Sequence, residues 1–391
     1  MIGISKLYCG TVERSDVLRY NRSSQSLPSR LLQFSEDKKP IVVWNCTRRC
    51  NLRCAHCYSC STDAADAHEL SAAEAMGLID DLAAFGTPVL LFSGGEPLLR
   101  PDVEELIAAA SRTMRTVLST NGTLLSAQRA GQLARTGIGY VGVSLDGLEA
   151  ANDDFRGVRG AFAAAVEGIR NSLAAGLKVG LRLTMTRRNV SQIPAIFDLV
   201  EREGIQRVCF YHLVSAGRGG GLIDDRLTHP QTRQALDRIM NLTADLHARG
   251  RPVEVLTVDN HADAPYVYLR LLRENPQRAA QCLELMRLNG GNSSGIGIGC
   301  VSWNGDVHPD QFWRDQVVGN IRQTPFSRIW GDGRGALLQS LRNRKSLLAG
   351  RCARCRWLDI CNGNFRARAA AAGNLWGDDP ACYLTDDEIK P

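Results

Sequence analysis

The chain has 391 residues, of which 44% are hydrophobic and 23% charged, and its net charge is +6. This composition predicts a globular protein of two or three units. It has no apolar run of about 18 residues that could span a membrane, no secretion signal at its N-terminus, and no basic stripe interleaved with aromatic residues that would indicate nucleic-acid binding. We therefore expect a cytoplasmic protein that acts on neither membranes nor nucleic acids.

Residues 1–39 are polar and irregular, and we interpret them as an N-terminal extension. From residue 40, six apolar runs typical of strands alternate with five amphipathic patterns typical of helices. The predicted strands are 40–45, 88–93, 115–120, 139–145, 177–185 and 208–214. The predicted helices are 70–85, 101–111, 125–136, 159–174 and 191–203. This alternation predicts parallel βαβ units, closed into a barrel or laid out as an open sheet, with functional residues at the carboxyl ends of the strands.

The pattern changes after residue 225. Residues 226–290 predict a helical linker, and residues 291–391 predict a small irregular domain that opens with the glycine-rich run NGGNSSGIGIGC. Asn304-Gly305 is the turn signal of a hairpin in this domain. The first unit is then 40–225.

Thirteen cysteines in a protein expected to be cytoplasmic indicate metal ligands rather than disulfides. Cys50, Cys54 and Cys57 follow the first strand with C-x-x-x-C-x-x-C spacing. Three thiolates on a [4Fe–4S] cluster leave one iron free to bind a small molecule. A structural zinc site that borrows Cys46 or Cys60 is the alternative.

This spacing, together with the Gly94-Gly95-Glu96 segment that ends the second strand, resembles the radical S-adenosylmethionine (SAM) superfamily. The resemblance implies an α/β fold with a partial (β/α)6 TIM-like barrel. It also implies that SAM chelates the open iron and is cleaved reductively, so that a 5′-deoxyadenosyl radical abstracts a hydrogen atom from substrate. The cofactor would carry the chemistry and the protein would position it.

The resemblance also implies a set of residues that contact SAM. They are His56, Gly94, Gly95, Glu96, Ser119, Asn121, Ser144, Asp146 and Arg182. The two glycines would let backbone carbonyls approach the SAM amino group, and Glu96 would add negative charge. For Ser119, Asn121 and Asp146, turn formation is the simpler interpretation, because Asn-Gly and Asp-Gly pairs form turns by themselves.

A second cysteine group consists of Cys352, Cys355, Cys361 and Cys382. Its spacing suits zinc and an iron–sulfur cluster equally well, but C-x2-C-x5-C after a radical SAM barrel resembles a SPASM domain, which carries auxiliary clusters. Phe365 stands where a ligand of a second auxiliary cluster is expected. We therefore predict one auxiliary [4Fe–4S] cluster, hence two clusters in all, and we interpret the remaining thiols as structural. Those are Cys9, Cys209, Cys282 and Cys300, and we interpret Cys46 and Cys60 as bystanders of the first group.

Three segments are similar in sequence to the radical SAM enzymes that modify siroheme-derived tetrapyrroles. They are the C-terminal segment from Arg351, the stretch NGGNSSGIGIGCVSW and the N-terminus. Within that group the chain is closest to the deacetylase that removes two ring acetates from 12,18-didecarboxysiroheme to give iron-coproporphyrin III. Members that remove propionates for heme d1, or convert propionates to vinyls, remain alternatives. A peptide-modifying SPASM enzyme is disfavoured by the short extension, and a simple electron carrier by the open cluster beside the GGE motif.

A macrocycle with several carboxylates calls for cationic side chains and a flat apolar wall. The candidates are Arg187, Arg188, Arg218, Arg314, Trp303, Phe312, Trp313, His212 and His308. His308 is the candidate catalytic residue, because its hairpin links the two cluster-bearing regions. An iron tetrapyrrole substrate and an electron donor of the flavodoxin or ferredoxin class are the expected partners.

Overall fold

The computed structural model describes residues 1–11, 39–331 and 335–390. Eleven strands in this part of the chain form one sheet. In chain order they are β1 (Ile2–Gly3), β2 (Ile41–Thr47), β3 (Val89–Gly94), β4 (Arg115–Thr120), β5 (Tyr140–Ser144), β6 (Val179–Met185), β7 (Arg207–His212), β8 (Glu254–Val258), β9 (Ile298–Val301), β10 (Asp306–His308) and β11 (Gly319–Asn320). Their spatial order is β1-β8-β7-β6-β5-β4-β3-β2-β9-β10-β11.

The helices fill the connections between these strands. Before and within the barrel they are α1 (Ile4–Leu7), α2 (Ala72–Phe85), α3 (Val103–Ser111), α4 (Ala127–Arg135), α5 (Glu149–Arg156), α6 (Ala161–Ala174), α7 (Ile193–Arg202) and α8 (His229–Ala248). After β8 they are α9 (Asp263–Glu274), α10 (Pro276–Asn289), α11 (Phe326–Gly331), α12 (Ala336–Arg342), α13 (Gly350–Ala353), α14 (Leu358–Cys361), α15 (Arg366–Ala371) and α16 (Asp386–Ile389). No helix among the described residues has the length and apolar character needed to cross a membrane.

Strands β2 to β8 are parallel and stand side by side in chain order, which confirms the α/β class and a parallel βαβ architecture. Each of the six predicted strands and five predicted helices has its counterpart. Local signals account for several of the boundaries. For example, Ser71 accepts a hydrogen bond from the backbone N–H of Glu74, and the Glu74 carboxylate accepts one from Ser71, which is a capping box at the start of α2.

Strand β8 lies within the region 226–290 that the sequence predicts to be a helical linker. It pairs in parallel with β7, so the run of parallel strands from β2 to β8 has seven members, where the sequence predicts six. The strand is only five residues long, stands between two long helices and begins with Glu254. That carboxylate is buried, with its Oε2 atom 2.5 Å from Nη2 of Arg207. A charged residue in a short strand is stabilised by a non-local partner, which sequence periodicity does not report.

The N-terminal segment also differs from the prediction of an irregular polar extension. Residues 2–3 pair antiparallel with β8, and the side chains of Ile2, Ile4 and Leu7 are buried in the main core. The remainder of that prediction, for residues 12–38, lies outside the described residues.

The C-terminal region continues the same sheet. Strand β9 pairs in parallel with β2, with Val42 opposite Gly299, and β9 and β10 form the predicted hairpin at Asn304-Gly305. Gly305 has a φ of +86°, a conformation that favours glycine. This pairing places the hairpin beside the loop that follows β2.

Candidate active site

The loop after β2 carries Cys50, Cys54 and Cys57. Backbone hydrogen bonds attach it to its neighbours: Cys50 N donates to Thr62 O at 2.6 Å, and Ala55 N donates to Phe155 O at 2.9 Å. Its three cysteines share one small apolar cluster with Leu52 and Ala161. The structure therefore brings this cysteine triad to the carboxyl end of the first barrel strand.

Burial raises the pKa of Cys50 to about 12, with the nearby thiols of Cys54 and Cys57 adding to it. Burial also acts to raise the pKa of Cys57, but hydrogen bonds with Ser59 and Ser61 outweigh it, so the pKa of Cys57 is lowered. In the part of the chain that the structure describes, no three His, Cys, Asp or Glu side chains converge to hold a single metal ion. In a [4Fe–4S] cluster each thiolate binds a different iron, so three cysteines of one loop could hold it.

The Gly94-Gly95 segment lies against the backbone of the cysteine loop. A Cβ atom on Gly94 would lie 2.4 Å from Thr47 O, and one on Gly95 would lie 2.1 Å from Arg49 O. Gly95 N donates to Thr47 O at 2.7 Å, and Glu96 N donates to Arg49 O at 2.8 Å. Only glycine permits this approach, so the segment fixes the position of the loop that carries the triad.

The Glu96 carboxylate points away from the cavity that the strand ends surround. It is fully buried and accepts hydrogen bonds from Leu98 N at 3.1 Å, Thr120 Oγ1 at 2.8 Å and Asn121 N at 2.8 Å. Burial raises its pKa, although these donors oppose the shift. The structure thus places Glu96 where it connects β3 to the end of β4.

Asn121 has a similar structural position. Its amide donates to Asn51 Oδ1 at 2.8 Å, and its own Oδ1 accepts from Thr123 N at 2.9 Å. It links the end of β4 to the cysteine loop and does not line the cavity.

A cavity with about 630 Å³ of empty space opens at the carboxyl ends of the strands. Five of the nine predicted SAM contacts line it, whereas Gly94, Gly95, Glu96 and Asn121 do not. Those five are His56, Ser119, Ser144, Asp146 and Arg182. The sequence did not identify most of the other lining residues, which include Tyr58, Ser93, Arg156, Thr184, Tyr211, Asp259 and Gln311.

Arg182 of β6 crosses β5 to donate from Nη1 to Ser119 Oγ at 2.7 Å. Gly142 makes this possible, because a Cβ atom there would lie 2.4 Å from Arg182 Nε. That Nε atom is buried and has no hydrogen-bond partner among the described residues. A buried guanidinium N–H without an acceptor, in a cavity, suits a ligand carboxylate.

His56 stacks on Phe155, with 4.7 Å between ring centroids, and its Nε2 lies 3.4 Å from Asp146 Oδ2. Burial lowers the pKa of His56 to about 4, so the ring is neutral. Its Nδ1 is buried and has no partner in the described part of the chain. A neutral ring on the cavity wall can stack on or hydrogen-bond a heterocycle.

Arg156 is a residue that the sequence analysis missed. Its Nη2 lies 2.5 Å from Asp146 Oδ2, and its Nη1 donates to Cys54 Sγ at 3.5 Å. Burial works against its charge, but Asp146 and Cys54 raise the pKa of Arg156 above its ordinary value. It ends α5, where the sequence analysis placed no helix, so no local signal identified it. A cation here offsets the negative charge of thiolates on the adjacent loop.

Two further cavities adjoin the first. One of about 720 Å³ shares His212 and Leu213 with it, and one of about 760 Å³ shares Tyr58 and Phe312. His212 lies 2.9 Å from Asp263 Oδ2, and Tyr383 Oη donates to the other oxygen of that carboxylate at 2.7 Å.

The predicted arginines have different positions. Arg218 donates to Cys54 O and Ser61 O, both at 2.9 Å, and so holds the cysteine loop. Arg314 donates to Ser59 O at 2.5 Å and lines the third cavity. Arg188 pairs with Asp225 at 2.7 Å on the surface, and Arg187 is exposed beside it. Of the four, only Arg314 lines a cavity.

Among the predicted aromatic residues, Phe312 lies between the first and third cavities, where it packs on Tyr58 with 5.0 Å between centroids. Trp313 lines the third cavity. Trp303 is buried behind them, with the Arg314 guanidinium 4.2 Å from its ring.

His308, the candidate catalytic residue, is buried in β10 and does not line the first cavity. Its Nε2 lies 2.8 Å from Ser302 Oγ and its Nδ1 lies 3.0 Å from Gln316 O. Because both ring nitrogens have protein partners, the geometry favours a role in holding the hairpin over one in proton transfer.

The second cysteine group gathers in the C-terminal region. Burial raises the pKa of Cys361 well above its ordinary value, and the neighbouring thiols of Cys382, Cys352 and Cys355 add to it, so the four cysteines lie near one another. Nearby lies Arg366, which is fully buried and donates to the carbonyls of Leu375 and Gly377 at 2.9 and 2.8 Å.

Phe365 is buried in a separate apolar cluster with Val214, Trp313 and Leu341. Cys300 Sγ accepts from Asn45 Nδ2 at 3.4 Å, and burial raises the pKa of both Cys300 and Cys282. These positions agree with buried neutral thiols and with a single auxiliary site.

Two family models match the chain. One describes the radical SAM superfamily and covers residues 44–200, and the other describes the SPASM iron–sulfur cluster-binding domain and covers residues 298–356. The chain is 60% identical to Fe-coproporphyrin III synthase of Methanosarcina barkeri over 100% of this chain and 99% of that protein. It is 43% identical to pre-heme d1 synthase of Dinoroseobacter shibae over 90% of this chain and 87% of that protein.

Among solved structures, SuiB of Streptococcus suis bound to S-adenosylmethionine is similar, with a TM-score of 0.69 and 19% sequence identity. The match covers 88% of this chain and 77% of SuiB. At this identity the likeness is one of fold.

Proposed function

The chain belongs to the radical SAM superfamily and carries a C-terminal SPASM domain, and from this premise we propose that it removes the two ring acetates of 12,18-didecarboxysiroheme to give iron-coproporphyrin III. As a member of these families it is an enzyme that uses S-adenosylmethionine and [4Fe–4S] clusters. Its place would be in heme biosynthesis by the siroheme-dependent route.

One observation carries the proposal: the 60% identity to Fe-coproporphyrin III synthase extends over the whole of both chains. The pre-heme d1 synthase, at 43% identity and with shorter coverage, is clearly less similar. Two cavities adjoin the first cavity, which the expected SAM contacts line, and this arrangement is consistent with a macrocyclic substrate.

The residues that would hold the cofactors follow from the site. Cys50, Cys54 and Cys57 would bind the cluster that chelates SAM, and the other four clustered cysteines would bind the auxiliary cluster. Held there, SAM and the cluster would supply the radical chemistry that removes a hydrogen atom from the substrate. Two buried nitrogens without a hydrogen-bond partner among the described residues fit SAM. Arg182 Nε suits the methionine carboxylate, and His56 Nδ1 can hydrogen-bond a heterocycle.

The protein's own part in the reaction is binding, orientation and shielding. Gly94 and Gly95 hold the cysteine loop against β3, and Arg156 places positive charge beside Cys54. Tyr58 and Phe312 form an apolar wall between two of the cavities. A one-electron donor of the flavodoxin or ferredoxin class would reduce the clusters.

The test is anaerobic incubation of the reconstituted enzyme with 12,18-didecarboxysiroheme, SAM and a low-potential reductant, followed by mass analysis of the tetrapyrrole. Loss of both acetates, with 5′-deoxyadenosine formed, is the expected result. Loss of propionates instead would assign the protein to heme d1 synthesis. An unchanged tetrapyrrole, under conditions in which SAM is still cleaved, would overturn the proposed substrate.

A further inference from the structure

Asp259 is the residue that follows β8, and its side chain lines the first cavity. Its backbone φ is +68°, a left-handed conformation that Asp and Asn adopt more readily than other residues with a Cβ atom. Its Oδ2 atom is buried and has no hydrogen-bond partner among the residues that the structure describes. A buried carboxyl oxygen without a partner is costly, so its occurrence in a cavity points to a ligand.

The C-terminal region holds this turn in place. Arg368 Nη2 donates to Asp259 O at 2.7 Å, and the same guanidinium pairs with both oxygens of Asp379 at 2.7 and 2.8 Å. Asn364 Nδ2 donates to Asn260 Oδ1 at 2.8 Å, and Asn364 Oδ1 accepts from His261 N at 2.7 Å. The carboxyl group therefore has a defined position on the cavity wall and is not on a free loop.

Burial, with a further contribution from Asp310, raises the pKa of Asp259 to about 8, while Arg368 and the N-terminal amine oppose the shift. From the adjacent strands, Tyr211, His212 and Arg182 face the same cavity. At neutral pH the group is mostly a neutral carboxylic acid, which can donate a hydrogen bond.

We propose that the side chain of Asp259 binds a carboxylate side chain of the tetrapyrrole substrate through a carboxylic acid–carboxylate hydrogen bond. This inference rests on the proposed function, which supplies a macrocycle with several carboxylates. Such an O–H···O⁻ bond is short and charge-assisted. It lets the cavity accept an anion at a place where a charged Asp259 would repel it.

The position of Asp259 assigns it to the substrate rather than to SAM. The residues expected to contact SAM lie on or directly after β2 to β6, and β7 separates these strands from β8 in the sheet. Tyr211, on the neighbouring strand β7, and Phe312, which also lines the third cavity, line the same cavity as Asp259.

The test measures the Kd of 12,18-didecarboxysiroheme by equilibrium dialysis against the cluster-loaded protein, without reductant, so that nothing turns over. With a pKa of about 8, the protonated fraction of Asp259 falls from about 0.9 at pH 7 to about 0.1 at pH 9, and wild-type binding should weaken about tenfold. The Asp259→Asn variant keeps a donor that cannot ionise, so its Kd should stay flat over this range. Asp259→Ala should bind weakly at both pH values.

A stability measurement distinguishes this role from a structural one. An acid with a raised folded-state pKa binds its proton more tightly in the folded state, so the folded state loses stability as pH rises above the unfolded value. Asp259→Asn should therefore shift the urea midpoint at pH 7.5 upward. A downward shift would indicate that the carboxyl group serves the fold and would overturn the inference.

The remaining outcomes are distinct. Wild type and Asp259→Asn with the same pH profile, or Asp259→Ala with wild-type affinity, would refute the role of Asp259 while leaving the proposed function intact. A pH-dependent loss of SAM binding in wild type, absent in Asp259→Asn, would assign the group to the cofactor and would also refute it. Failure of wild type to bind the macrocycle at any pH would overturn the proposed function, and the inference with it.

Discussion

Replacing Gly95 by Ala tests how closely the GGE segment and the cysteine loop must approach. The new Cβ atom would lie 2.1 Å from Arg49 O, 2.6 Å from Arg49 C and 2.7 Å from Arg48 O, whereas real Cβ contacts are essentially never under 3.0 Å. All three atoms belong to the backbone, so no side chain can swing away. The loop must move by nearly 1 Å, and Cys50 follows Arg49 directly.

The energetic cost has two parts. Overpacking costs about 1–3 kcal/mol. The movement also breaks the hydrogen bonds from Gly95 N to Thr47 O and from Glu96 N to Arg49 O, at about 1 kcal/mol each. We expect the free energy of unfolding to fall by about 3–5 kcal/mol. We also expect the displaced triad to lose its cluster and with it the cleavage of SAM.

The assay combines urea unfolding of the apo protein with iron analysis and 5′-deoxyadenosine formation after anaerobic reconstitution. Gly77→Ala is the matched control, because a Cβ atom at this position in α2 meets nothing within 4 Å. It should leave cleavage unchanged and stabilise the helix by about 0.5–1 kcal/mol. If Gly95→Ala cleaves SAM and unfolds like the control, the close approach is not what positions the triad.

Three further predictions follow from the site. The wild-type protein should hold about eight irons, and the Cys54→Ala and Cys352→Ala variants should hold about four each. Cys54→Ala should also lose 5′-deoxyadenosine formation. A Cys352→Ala protein with undiminished iron would exclude the auxiliary cluster. Arg182→Met should weaken SAM binding about 10- to 150-fold, by loss of a charged hydrogen bond, and a Kd within twofold of wild type by equilibrium dialysis would contradict that role. Arg368→Met should lower the free energy of unfolding by about 3–5 kcal/mol, measured in urea, because it leaves Asp379 buried without its cation. Burial acts to raise the pKa of Asp379, but Arg368 lowers it. The difference in free energy of unfolding between wild type and Arg368→Met should therefore shrink as pH falls below about 4. A difference that stays constant with pH would refute the ion-pair explanation.

The amino-acid sequence by itself determined the parallel α/β framework. Each barrel strand from Ile41 to His212 coincides with an apolar run, and each run is followed by a helix pattern, because side-chain periodicity is a local property of the chain. The spacing of the cysteines and the Gly94-Gly95 pair at the end of β3 were equally local signals. They were sufficient to recognise the family to which the chain belongs.

The tertiary structure decided which side chains face the cavity. Glu96 belongs to the recognised motif, yet its carboxylate meets donors from β4, and the two ring nitrogens of His308 meet Ser302 and Gln316 instead of a ligand. Arg156 and Asp259 line the cavity although neither belongs to a motif. A polar side chain takes the partner that burial leaves available to it, and that partner usually comes from a distant part of the chain. For this reason local sequence patterns predicted the strands and the cysteine loop. Only the packed structure could show that the Asp259 carboxyl group, at the end of β8, has a buried oxygen without a hydrogen-bond partner among the described residues.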